Sequence, residues 1–135
     1  MKLRGTSRKD FQRLAEREAR ALLAAGEFDG AYYLAGYAIE CALKAVIAKA
    51  IAAETLLKPE DLKKVHQHNL ESLLEHAELG PELKAAVRVP AWATVSGWNE
   101  QVRYQDGRDQ SSAEQMLEAI ENPTTGILPW LTHRW

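Results

Sequence analysis

Cysteine is almost missing from this chain: Cys41 stands alone among 135 residues. That excludes an intramolecular disulfide and any zinc site built from several thiolates. Positive charge is not in excess either. The formal net charge is −2 and the pI is 6.1, so no global field draws in nucleic acid. Long uninterrupted apolar runs are lacking. The richest stretch, residues 30–53, is broken by Glu40, Lys44 and Lys49, and its longest charge-free run, residues 30–39, is too short to span a bilayer. The first twenty residues are charged throughout and hold no apolar core of a secretory signal. A cytoplasmic protein with a reduced Cys41 and no membrane contact is the expectation. Five prolines and eight glycines are scattered, which excludes collagen-like and low-complexity tracts. No segment alternates apolar and polar over six residues, so no sheet is expected.

What is present suits one globular domain over residues 1–135. Apolar residues make up 46% and charged residues 27%, enough of the first to build a core. Charge is unevenly spread. Residues 1–20 hold seven Lys/Arg against three acids, a local +4 that leaves −6 for the rest. A basic first helix could approach phosphates. The plainer reading is a solvated face on which Arg13, Arg17 and their neighbours pair with Glu16 and Glu18.

The punctuation predicts helices. Ser7-Arg8-Lys9-Asp10 matches a capping box, Phe11, Leu14, Ala15 and Leu22 follow at helical spacing, and Gly26 is a natural stop. Helix one is placed at about residues 9–25. The second helix, from Phe28 or Asp29 to about Ala53, is apolar nearly all round, so it must be covered nearly all round. In so small a protein, part of that cover is expected from a second subunit. Gly36 inside this helix costs up to about 1 kcal/mol of propensity, which a packing contact or a ligand would offset. A short helix is expected from Pro59, another after an Asn69 N-cap, and another opened by Gly80-Pro81. Leu83, Ala86 and Val87 carry the pattern to Pro90, and Ala91, Val95, Trp98 and Val102 keep it beyond. Residues 105–110 read as a loop, Ser111-Ser112-Ala113-Glu114 as a second capping box, and Asn122-Pro123 as a helix end. The apolar tail at Ile127, Leu128, Trp130 and Leu131 should pack on the fold or on a partner. The fold class is all-α, an antiparallel up-and-down bundle of four to five helices.

Residues 30–45, GAYYLAGYAIECALKA, resemble the central helix of prokaryotic HEPN domains. His68-Asn69-Leu70-Glu71-Ser72-Leu73-Leu74 is similar to that family's H-[D/N]-L-x-x-L-L segment, and Trp98 followed by Arg103-Tyr104 is similar to its W…R-Y element. The blocks fall in the family's order and span most of the chain. The resemblance implies an all-α dimer. It also implies a place in a toxin–antitoxin or defence-type system, beside a nucleotidyltransferase partner or bound to nucleotide or RNA. Many members are metal-independent ribonucleases in which four to six residues separate an arginine from a following histidine. That signature is missing here: no arginine stands five to seven positions before His66, His68, His76 or His133. The expectation is therefore a homodimeric interaction or nucleotide-associated module. The alternative is a diverged ribonuclease whose His68 and Arg103 meet through folding.

The candidate residues each carry two readings. Arg103 and Arg108 could bind phosphate while Tyr104 stacks on a base. Alternatively Arg103 ties a loop to a helix end and Tyr104 covers the core edge. Glu40, a carboxylate in the most apolar segment, needs a partner. Lys44 at i+4 supplies one for a structural ion pair. The sharper reading sets Glu40 beside His68 or Arg103 in a polar pocket with a raised pKa. A small-molecule or nucleotide site centred on Glu40 and the tyrosines, Tyr37 among them, is a third option. His66, His68 and His76 with Cys41 match no helical metal motif, so no metal and no cofactor is expected. Trp98 reads as core, and Trp130 and Trp135 as interface or docked tail.

Overall fold

The first two helices form a hairpin, α1 at Gly5–Ala24 and α2 at Phe28–Ala52, and its turn is built by Gly26. Gly26 takes φ +81°, which glycine adopts without a Cβ penalty. Its N–H reaches the Leu23 carbonyl and the Glu27 N–H reaches that of Leu22, so carbonyls left open at the helix end are satisfied. In this computed structural model residues 5–52, 67–84 and 88–134 are described, and among them the chain is all-α. After α2 come α3 (Leu70–His76), α4 (Gly80–Lys84), α5 (Val89–Val95), a 3-10 helix (Glu100–Tyr104), α6 (Gln110–Glu121) and α7 (Ile127–Thr132).

Seven α-helices among the described residues, rather than four or five, reflect how the second half is cut. Only α1, α2 and α6 exceed eight residues. Pro81 and Pro90 open short helices, and the apolar period that runs through Val95, Trp98 and Val102 does not keep one helix going: α5 ends at Val95, and Trp98 and Val102 are buried from a turn and from the 3-10 helix. The expected break and helix near Pro59, together with His66, Ala86, Val87 and Trp135, lie outside the described residues.

Caps decide the remaining boundaries. Asn69 accepts from the Ser72 N–H at 3.0 Å and starts α3 as expected. Helix α1 already begins at Gly5, so Ser7 lies inside it rather than before it. Helix α6 is capped by Asp109, whose carboxylate accepts from the Ser112 N–H at 2.8 Å; the carboxylate two residues upstream takes the role assigned to Ser111. Asn122 closes α6, its side chain accepting from the N–H groups of Thr124 and Thr125.

The apolar surround of α2 is supplied by the chain itself. Ala31, Ala35, Ala38, Ile39, Leu43 and Ile47 point in widely different directions and are each at most 1% exposed. Elements α1, α3, α6, α7 and the 3-10 helix all pack against it. The apolarity of α2 therefore requires no second copy, and that argument for a homodimer falls. Gly36 is explained by the same packing. A Cβ there would lie 2.2 Å from Trp98 Cδ1, so the indole occupies the place of a side chain. The Trp98 ring is 2% exposed and its Nε1 donates to the Tyr33 carbonyl at 3.1 Å. The tail docks as α7, with Ile127, Leu128, Trp130 and Leu131 all buried. No helix among the described residues is long and apolar enough to cross a membrane.

Candidate functional site

Along residues 31–47 of α2, the partly exposed positions are Leu34 and a stripe formed by Tyr33, Tyr37 and Lys44. Buried Glu40 belongs to the same stripe, since residues three and four apart share a helix face. The two tyrosine rings stack, centroids 6.2 Å apart, and Tyr33 lies 5.8 Å from the Trp98 ring. Burial pushes the Tyr37 phenol up to about 12, helped by the neighbouring Cys41 thiol. Burial also raises Tyr33, against the opposing pull of the Arg103 guanidinium.

Two further elements reach this stripe. The Asn69 cap sets the start of α3, which places the preceding residue, His68, over Glu40. His68 Nδ1 lies 2.9 Å from both Glu40 carboxylate oxygens, and Lys44 Nζ donates to Oε2 at 3.1 Å. Glu40 is 2% exposed, and a carboxylate so buried is tolerable because the Lys44 ammonium and the His68 ring both face it. From the other side the 3-10 helix, capped by Asn99 through the Gln101 N–H, brings Glu100 to His68: Oε2 stands 3.0 Å from Nε2. Both ring nitrogens thus face carboxylates. In a 3-10 helix residues three apart eclipse, so Arg103 follows Glu100 on one side. Its guanidinium lies 5.4 Å from the centre of the Tyr33 ring and 5.6 Å from that of Tyr104.

Folding therefore brings Glu40, Tyr37, His68 and Arg103 into one neighbourhood, with Tyr104 at its rim. Tyr104 is 75% exposed, so it does not cover the core edge. Arg103 grips rings rather than a helix terminus. Arg108 stands apart. Its guanidinium lies 3.5 Å over the Tyr32 ring and donates to Ser112 Oγ, while the Gly107 and Arg108 N–H groups donate to the Asp29 carboxylate. These contacts tie the loop before α6 to the start of α2.

Glu100 and Tyr33 went unnoticed as site residues in the sequence. Tyr33 carried a signal, being one turn before Tyr37 on the Glu40 face. Glu100 carried none, because its partner is 32 positions away on another element. Among the described residues no group of three or more His, Cys, Asp or Glu is arranged to hold a metal ion. No family model, curated protein or solved structure matches the chain.

Proposed function

We propose that the Arg103–Tyr104 corner beside His68 binds a nucleotide or a single-stranded stretch of RNA. One observation carries this: a guanidinium set against two aromatic rings, one of them three-quarters open to solvent. Such a ring offers a base a stacking face, and the adjacent cation suits its phosphate. The net charge of −2 and the flanking Glu40 and Glu100 provide no long-range attraction, so stacking supplies most of the affinity. This agrees with the HEPN resemblance, which by itself carries the further proposals. These are a cytoplasmic protein of a toxin–antitoxin or defence-type system that pairs with a second copy or with a nucleotidyltransferase-type protein. Light scattering of the protein alone and mixed with such a partner tests both.

Fluorescence anisotropy with a labelled oligouridylate reads the binding. Loss of one stacking partner, at about 1–3 kcal/mol per base, predicts a roughly 5- to 150-fold weaker complex for Tyr104→Ala, with a shallow salt dependence in the wild type. Unchanged affinity in Tyr104→Ala rejects the reading.

A second reading, metal-independent RNA cleavage by His68 and Arg103, is favoured by the hold of Glu40 on His68 Nδ1. That contact orients the ring, and only half-exposed Glu100 occupies Nε2. A pair at such exposure is worth at most about 1 kcal/mol, so a ribose hydroxyl can displace it. RNA cleavage in EDTA, abolished in His68→Ala and in Arg103→Ala, is the expected result. Equal cleavage by wild type and both variants removes this reading and leaves the binding site standing.

A further inference from the structure

A cleft of about 330 Å³ lies between α3, α4 and α5 and shares no residue with the Tyr104 corner. Its apolar walls are Leu74, Leu83, Val89 and Trp92. Three of these are buried, but Val89 is 47% exposed, one of three large apolar side chains left so open among the described residues. An exposed apolar side chain on a convex surface needs no explanation. One that opens into a concave apolar space of this size gives a small ligand something to pack on, with room for one ring and a short chain.

The polar side of the cleft is acidic. Glu71 and Glu75 line it, four residues apart on α3. At that spacing two carboxylates share a helix face and repel. Glu75 also stands in the last turn of α3, where the helix dipole disfavours negative charge. Trp92 donates from Nε1 to Glu71 Oε1 at 2.6 Å, which fixes that carboxylate against the wall but supplies no positive charge. Among the described residues no Lys, Arg or His lines the cleft, and Arg88, next to Val89, donates instead to the Gly126 carbonyl. The side chain of Glu75 makes no hydrogen bond or ion pair among the described residues. A residue that weakens its own helix and gains no contact there is expected where it serves a ligand. The cleft between α1, α6 and α7 has no such imbalance, since Arg13 and Arg20 line it together with Glu16 and Glu121.

We infer that the cleft between α3, α4 and α5 binds a primary ammonium carried on a short arylalkyl stem. The ring packs against Leu83, Val89 and Trp92. The ammonium lies between the Glu71 and Glu75 carboxylates, each of which accepts one of its N–H groups. An acid of the same shape would meet two carboxylates and no cation. A neutral analogue would fill the apolar walls but leave the repulsion along α3 in place.

Phenethylamine is the probe, added to the full chain with melting temperature as the readout. The expected result is a saturable rise over about 0.1–10 mM, as binding to the folded state alone requires. Phenylpropionate, of similar shape and opposite charge, and neutral phenylethanol should each need at least about ten-fold more for the same rise. Glu75→Gln should be no less stable than wild type without ligand, because it removes the repulsion with Glu71, and should need about ten-fold more phenethylamine. No saturable shift with phenethylamine, an equal response to phenylpropionate or phenylethanol, or an undiminished response in Glu75→Gln overturns the inference. If Glu75→Gln does not fold, the three probes on the wild type decide alone. None of these outcomes depends on whether Tyr104 binds RNA.

Discussion

Two glutamates around one nitrogen-bearing side chain occur twice in this molecule, and the two arrangements differ in what surrounds them. At the α2–α3 corner His68 keeps Glu40 and Glu100 on opposite ring nitrogens, and Lys44 adds a positive group. Between α1 and α6, Arg20 holds Glu16 and Glu121 on one side, close enough to oppose each other's ionisation. In the first cluster Lys44 and the His68 ring meet the Glu40 carboxylate from two sides, which is why Glu40 can be almost wholly buried. In the second, Arg20 reaches both glutamates from one side, and buried Gln12 lies beside them. A buried carboxylate is stable where polar partners meet it from several sides, whereas two carboxylates held close together raise the pKa of one of them, here Glu16.

The comparison breaks most severely at Glu40. Glu40→Ala leaves Lys44 and His68 facing an emptied, apolar position, and a loss of about 3 kcal/mol is expected in urea unfolding, at the lower end for a broken buried pair because both cations can turn towards water. Next comes Gly36→Ala. The new methyl would enter the Trp98 ring, displacing the turn that leads Glu100 to His68. Overpacking costs about 1–3 kcal/mol, more than the helix-propensity gain of at most about 1 kcal/mol. Near-ultraviolet circular dichroism should report the moved indole.

The smallest effect has the opposite sign and sharpens the contrast. The folded protein raises the Glu16 pKa above its ordinary 4.5, so it holds a proton that the unfolded chain has released. Glu16 therefore contributes stability that is complete below pH 4.5 and lost as pH rises through the folded value. Glu16→Gln lacks that loss. It should melt slightly higher than wild type at pH 7, by less than about 1 kcal/mol after losing its contact with Arg20, and the advantage should vanish near pH 4. An advantage that persists at pH 4 would locate its cause elsewhere.

Local signals in the sequence were dependable where the physics is local. Asn69 as a cap, Gly26 as a stop and the Glu40–Lys44 pair at i+4 each involve atoms within a turn or two. Where two local signals competed, the sequence misled: Asp109 took the cap that Ser111 also matched, and the apolar period through Trp98 survived the end of its helix. The Glu40–His68 contact was half legible: a buried carboxylate demands partners, and the sequence offered His68, 28 positions away, only as one of two choices with Arg103. Gln12 and Glu121 gave no sign at all. An amide in the first helix looks solvated until the fold buries it.

Composition and periodicity alone determined an all-α chain with a central helix needing cover on nearly every side, because helix formation and apolar burial follow from spacing along the chain. Tertiary structure decided who provides that cover, which stripe of α2 stays open, and which glutamates share a cation. Those outcomes depend on distances between segments far apart in sequence, and no spacing rule encodes them.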